Sequence, residues 1–134
     1  MSAGNDMTTV LVAEDDVDIR NLLSMALQLQ QLTVVEAFDG QDALNKIIEK
    51  KPDIVLLDIT MPHLTGFEVC EAMRKNATLK EIPVIFVSAK IEQSELLKSR
   101  SLGVDTVIEK PFDFTFLVSK INELVNNHKT GRVA

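Results

Sequence analysis

The chain has 134 residues, 46% of them apolar and 25% charged, with a net charge of -6. That length suits one domain with its own core, and the acidic balance disfavours binding to phosphate backbones. A single cysteine, Cys70, excludes an internal disulfide and fits a reducing compartment. The polar start Met1–Thr9 is unlike a signal peptide, and no apolar run is long enough to cross a bilayer, so a cytoplasmic location is expected.

Five short runs rich in Val, Ile and Leu read as strands: Thr9–Ala13, Thr33–Ala37, Asp53–Leu57, Pro83–Val87 and Val104–Ile108. They barely alternate, which suits strands buried on both faces of a parallel sheet. Helical spacing lies between them. The first stripe is Ile19, Leu22, Leu23, Ala26 and Leu27, and the second Ala43, Leu44, Ile47 and Ile48. Phe67, Cys70 and Met73 form a third stripe, and Leu117, Ile121, Leu124 and Val125 the last. The fourth helical segment, Ser94–Ser101, is more polar. Asp15 or Asp16, Asp39 and Asp113 are placed to cap helices, while Pro52 and Gly103 end them. The order βαβαβαβαβα implies parallel neighbours and right-handed crossovers. The expected fold is α/β: a doubly wound, five-stranded parallel sheet of flavodoxin-like type, order 2-1-3-4-5, with helices on both faces. The domain is expected to span 9–128, between a flexible segment 1–8 and a fraying tail 129–134.

Ligands in such sheets sit outside the carboxyl ends of the strands, at the switch point between the first and third. Four strands deliver reactive groups to that edge: Glu14, Asp15 and Asp16, then Asp58, then Ser88, then Lys110 before Pro111. Three clustered carboxylates repel one another, and Glu14, Asp15 and Asp58 against Lys110 leave two negative charges. One Mg²⁺ would balance them, with carboxylates, waters and a phosphate as its preferred ligands. A carboxylate beside Mg²⁺ is a competent nucleophile toward a phosphoryl group. Taken alone, Asp58 would read as a turn residue, and Asp16 reads equally well as a cap. His63 and His128 do not make a metal site, and Cys70 reads as core. The cluster Phe112, Phe114 and Phe116 reads as packing.

At these positions the chain resembles the receiver domains of two-component response regulators, over about Thr9 to His128. The motifs are Val12-Ala13-Glu14-Asp15-Asp16, Leu56-Leu57-Asp58-Ile59-Thr60-Met61-Pro62, Val87-Ser88-Ala89 and Lys110-Pro111-Phe112. The resemblance implies that Asp58 is the phosphoacceptor. Glu14, Asp15, Asp58 and the Thr60 backbone carbonyl would hold Mg²⁺, Ser88 would be the switch hydroxyl, and Lys110 would bind the phosphoryl group across a cis bond to Pro111. It further implies a histidine kinase or histidine phosphotransfer protein as donor, and a protein output partner at the face of the fourth helix, fifth strand and fifth helix. No nucleic acid or membrane is implied, and the state is a monomer or a phosphorylation-dependent dimer. Thr60 and Lys90, two residues beyond Asp58 and Ser88, are expected to tune the lifetime of the phosphorylated state. Val107 departs from the family, which often has an aromatic switch residue there. With no effector domain after the last helix, a stand-alone role is expected. The alternatives weighed are the receiver half of a longer regulator, a flavin module, and a Mg-dependent aspartyl phosphatase. The phosphatase would need an acid–base Asp where Thr60 stands, and the flavin module a phosphate loop where Glu14-Asp15-Asp16 stand.

Overall fold

The structure is a computed structural model that describes residues 8–133, with side chains described for 8–127. The expected flexible start, 1–8, lies almost wholly outside the described residues. Five strands, β1 (Thr9–Ala13), β2 (Thr33–Ala37), β3 (Ile54–Asp58), β4 (Val84–Ser88) and β5 (Thr106–Glu109), form one parallel sheet ordered β2-β1-β3-β4-β5. The helices are α1 (Val17–Leu29), α2 (Gly40–Lys50), α3 (Gly66–Arg74), α4 (Gln93–Ser101) and α5 (Phe114–Val133). The backbone of α5 runs past the expected boundary at His128.

The uniformly apolar strands are explained by two cores. In β1, Leu11 and Ala13 point to the face covered by Ala43, Ile47, Val69, Cys70 and Met73 of α2 and α3. Val10 and Val12 point to the face covered by Leu23, Leu27, Leu117 and Ile121 of α1 and α5. Residues two apart share a face, so a strand buried on both sides needs an apolar residue at every position.

Three strand boundaries shift from expectation, each for a local reason. Asp53 precedes β3, and its carboxylate accepts the Thr9 amide at 2.8 Å. Pro83 has no amide to donate, so β4 begins at Val84. Asp105 precedes β5 and accepts the Val84 amide at 3.1 Å. Asp16 is the cap of α1, and Asp39 caps α2. Gly103 closes the chain after α4 with φ of 71°, a left-handed conformation that glycine adopts freely. The polar α4 buries only Ser99. Phe112 and Phe114 pack edge to face at 5.6 Å between centroids, but Phe116 is exposed rather than part of their cluster.

Among the described residues no helix is long and apolar enough to cross a membrane.

Candidate functional site

The carboxyl ends of β1, β3, β4 and β5 meet at one edge of the sheet, because parallel strands all end on the same side. Glu14 follows β1 directly, and its amide donates to Ala37 of β2 at 3.1 Å. Asp58 is the last residue of β3, held in register with Val87 of β4. Glu14, Asp58 and Ser88 are all buried, while Asp15 is exposed.

The structure brings together the residues that sequence placed at this edge. Oxygens of Glu14, Asp15 and Asp58 lie within 4.8 Å of one another. Lys110 Nζ bonds both Glu14 Oε1 and Asp58 Oδ2, each at 2.9 Å. The Lys110–Pro111 peptide is cis. The other Asp58 oxygen, Oδ1, accepts the Thr60 amide at 2.9 Å. Thr60 thereby follows Asp58 in a tight turn, with its side chain exposed.

One ammonium shared by two buried carboxylates carries half the charge needed to offset them. Burial is the main force on Glu14, and with the Asp58 charge beside it the carboxyl is pushed up to about 7, despite the hydrogen bond from Lys110. Burial works against the Lys110 charge too, but its hydrogen bonds to Glu14 and Asp58, with their charges, prevail and hold the ammonium above its ordinary value.

The cluster fits a hard divalent cation. It offers three hard oxygen donors in one small space, an excess of negative charge, and one exposed ligand, Asp15, on the side where waters or a phosphate oxygen would complete the shell.

Ser88 reaches the same edge, but its hydroxyl is spent on its own loop. Its Oγ donates to the Lys90 carbonyl at 2.8 Å and accepts the Lys90 amide at 3.2 Å. Ser88 is tied to the lysine through the backbone instead, its carbonyl accepting the Lys110 amide at 2.7 Å. Lys90 is exposed at the rim. Val107 is half-buried, beside Phe86 on the face shared with α2 and α3. Asp16 does the capping work, accepting the Asp18 and Ile19 amides, and is outside the acidic cluster.

Two supports were not visible from the sequence. Arg20 Nη1 donates to the Glu14 carbonyl at 2.7 Å, fixing the turn after β1 from within α1. His63 Nδ1 lies 2.7 Å from Asp39 Oδ2, joining the loop after β3 to the start of α2. The first joins α1 to the turn before it and the second joins two loops, and no spacing rule signals either. A groove of about 430 Å³ also opens beside the site, lined by Ile19, Leu22, Lys110, Pro111, Phe112 and Phe114.

Residues 10–122 match the response regulator receiver domain family. Among solved structures, the chemotaxis protein CheY4 of Vibrio cholerae is 28% identical with a TM-score of 0.83, covering 88% of this chain and 98% of that one. The receiver domain of the Francisella response regulator 1452 is 29% identical with a TM-score of 0.83, covering 90% and 98%. A CheY-like receiver domain protein from Methanospirillum hungatei, at 24% identity, shares the fold with a TM-score of 0.89 over 94% and 99%. With the family matched over most of its length and the sheet ordered 2-1-3-4-5, the chain belongs to the response regulator receiver domains of two-component signalling systems.

Proposed function

We propose that this receiver takes a phosphoryl group onto Asp58 from a histidine kinase or histidine phosphotransfer protein and passes the signal to a protein partner. The observation that carries this reading is the placement of the Asp58 carboxylate, with Lys110 Nζ 2.9 Å away and Glu14 and Asp15 in the same cluster. An Asp58 oxygen attacks phosphorus, and the phosphorus–nitrogen bond of the donor breaks. The departing imidazole keeps the electron pair and takes up a proton, leaving an acyl phosphate. Lys110 is placed to neutralise a phosphoryl oxygen, and Ser88 must turn from the Lys90 carbonyl to serve another. Glu14, Asp15, Asp58 and the Thr60 carbonyl would hold Mg²⁺, which when bound offsets the charge of the carboxylates and the phosphoryl oxygens.

A protein donor has to cover the edge of the sheet to bring its phosphoryl group to Asp58. The apolar groove between α1 and the Pro111–Phe114 segment adjoins Lys110 and supports docking there. Exposed Leu97 on α4 and Phe116 on α5 support output through the α4–β5–α5 face. Without a ring at Val107, the signal travels by movement of the loops from Ser88 to Phe112. Thr60 and Lys90, exposed at the rim, set access of the hydrolytic water. The receiver works in the cytoplasm, as a monomer or as a dimer formed on phosphorylation.

Incubation with a small acyl or amido phosphate and Mg²⁺, followed by intact mass, tests the central step. The expected result is the mass of one phosphoryl group, lost in Asp58→Asn. No gain in the wild-type chain under any donor condition would refute it.

A further inference from the structure

The loop between β3 and α3 carries Thr60 and is anchored along its length. Ile59 and Met61 are buried, and the Gly66 amide returns to the Ile59 carbonyl at 2.9 Å. Beyond Met61 the anchoring passes to α2. The Gly40 amide donates to the Pro62 carbonyl at 3.3 Å. A Cβ on Gly40 would lie 1.9 Å from the Leu64 carbonyl oxygen, so the two segments are in direct backbone contact. Between Pro62 and Leu64 stands His63, with φ of 71°, a left-handed conformation unfavourable for a residue with a side chain.

A residue persists in such a conformation when its surroundings over-determine it. Here two contacts converge: the Leu64 amide donates to the Pro62 carbonyl at 2.8 Å across His63, and the His63 side chain meets Asp39. His63 Nδ1 is 2.7 Å from Asp39 Oδ2, and because a carboxylate only accepts, that nitrogen carries the hydrogen whatever the charge of the ring. Asp39 Oδ1 meanwhile accepts the Asp42 amide at 2.7 Å as the cap of α2. The Asp42 amide, followed by the His63 contact, holds the Asp39 carboxyl below its ordinary value, against the effect of burial. One carboxylate thus closes a helix and holds a loop. The Asp39 side chain is 9% exposed and that of His63 70%, so the imidazole adds little to the core and its effect is local.

The geometry points to His63 as a positioning residue for the phosphoryl site: through Asp39 it pins the β3–α3 loop to the start of α2 and so fixes Thr60. This rests on the reading of Asp58 as phosphoacceptor, with the Thr60 carbonyl among the Mg²⁺ ligands. His63 touches no reacting atom. Its action is to hold the backbone from which a metal ligand projects, as outer hydrogen bonds do at other metal sites.

The test is a Mg²⁺ titration of the full chain, followed by amide chemical shifts and by calorimetry, in wild type, His63→Ala, His63→Gly and His63→Asn. Gly relieves the backbone strain and removes the bond. Ala keeps the strain and removes the bond. Asn tolerates the left-handed conformation and offers an amide donor to Asp39. The expected result is Mg²⁺ binding about tenfold weaker in both the Ala and Gly variants and largely restored by Asn. Phosphorylation by an acyl phosphate should slow at low Mg²⁺ in the Ala and Gly variants and recover at saturating Mg²⁺. Lowered melting temperatures with an unchanged Mg²⁺ midpoint in those two would make His63 a purely structural strap and overturn the inference. A Gly variant matching wild type would overturn it too, since strain and not the bond would then govern. No Mg²⁺ response and no phosphoryl gain in wild type would instead refute the reading of the site on which the inference rests.

Discussion

Glu14 is buried against Asp58 with a single ammonium between them, and its protonation near neutrality has consequences of definite sign. The folded chain holds the Glu14 proton to about pH 7, whereas the unfolded chain releases it near the ordinary value of 4.5. Between those values the folded state binds more protons, so this group lowers metal-free stability as pH rises through the window. The expected loss is on the order of 2 kcal/mol. Urea unfolding in the presence of a chelator, from pH 4.5 to 7, should show the decline in wild type and a flatter profile in Glu14→Gln. Binding of Mg²⁺ needs the carboxylate, so affinity should rise with pH up to about 7 and then level off. Calorimetry in buffers of differing ionisation heat should detect a released proton below that point and none well above it.

The segments that frame the site are α1, the Pro111–Phe114 stretch and the junction of the β3–α3 loop with α2. Leu22 is 54% exposed although it was expected in the core stripe of α1. The stripe predicts burial from periodicity alone, whereas α5 covers only the flank carrying Leu23 and Leu27, leaving Leu22 in the groove beside Lys110. Leu22→Asp should slow phosphotransfer from a protein donor by about tenfold or more, the range of a lost apolar anchor. It should leave the rate with an acyl phosphate nearly unchanged, and parallel measurements with the two donor classes check this. At the loop junction, Gly40→Ala would place a methyl against the Leu64 backbone, which has no flexible end to yield. A destabilisation of about 2–3 kcal/mol is expected from such overpacking, measured by chemical denaturation.

For the molecule as a whole, a cation at the carboxyl ends of β1 and β3 would join two neighbouring inner strands of the sheet in the folded state alone. Mg²⁺ at a hundredfold excess over its Kd should stabilise the fold by about 2.7 kcal/mol and raise Tm by several degrees, with a chelator reversing the change. Scanning calorimetry with and without Mg²⁺ checks this. Much of this architecture is legible in the sequence. Short apolar runs rich in Val and Ile, with turn residues around them, suit strands covered on both faces, and linkers of helical length favour parallel order, which places Glu14, Asp58, Ser88 and Lys110 at one edge. The sequence by itself therefore determined the order of elements, the sheet topology and the membership of the cluster. The tertiary structure alone decided how those residues meet: Lys110 divided between Glu14 and Asp58, Ser88 turned onto Lys90, Arg20 behind Glu14, and His63 fastened to Asp39. The physical reason is that topology follows from periodicity and connection length, while side-chain partners and shared charges depend on the path of the backbone in space, within a turn for Ser88 and Lys90 and between distant segments for Lys110 with Glu14 and Asp58.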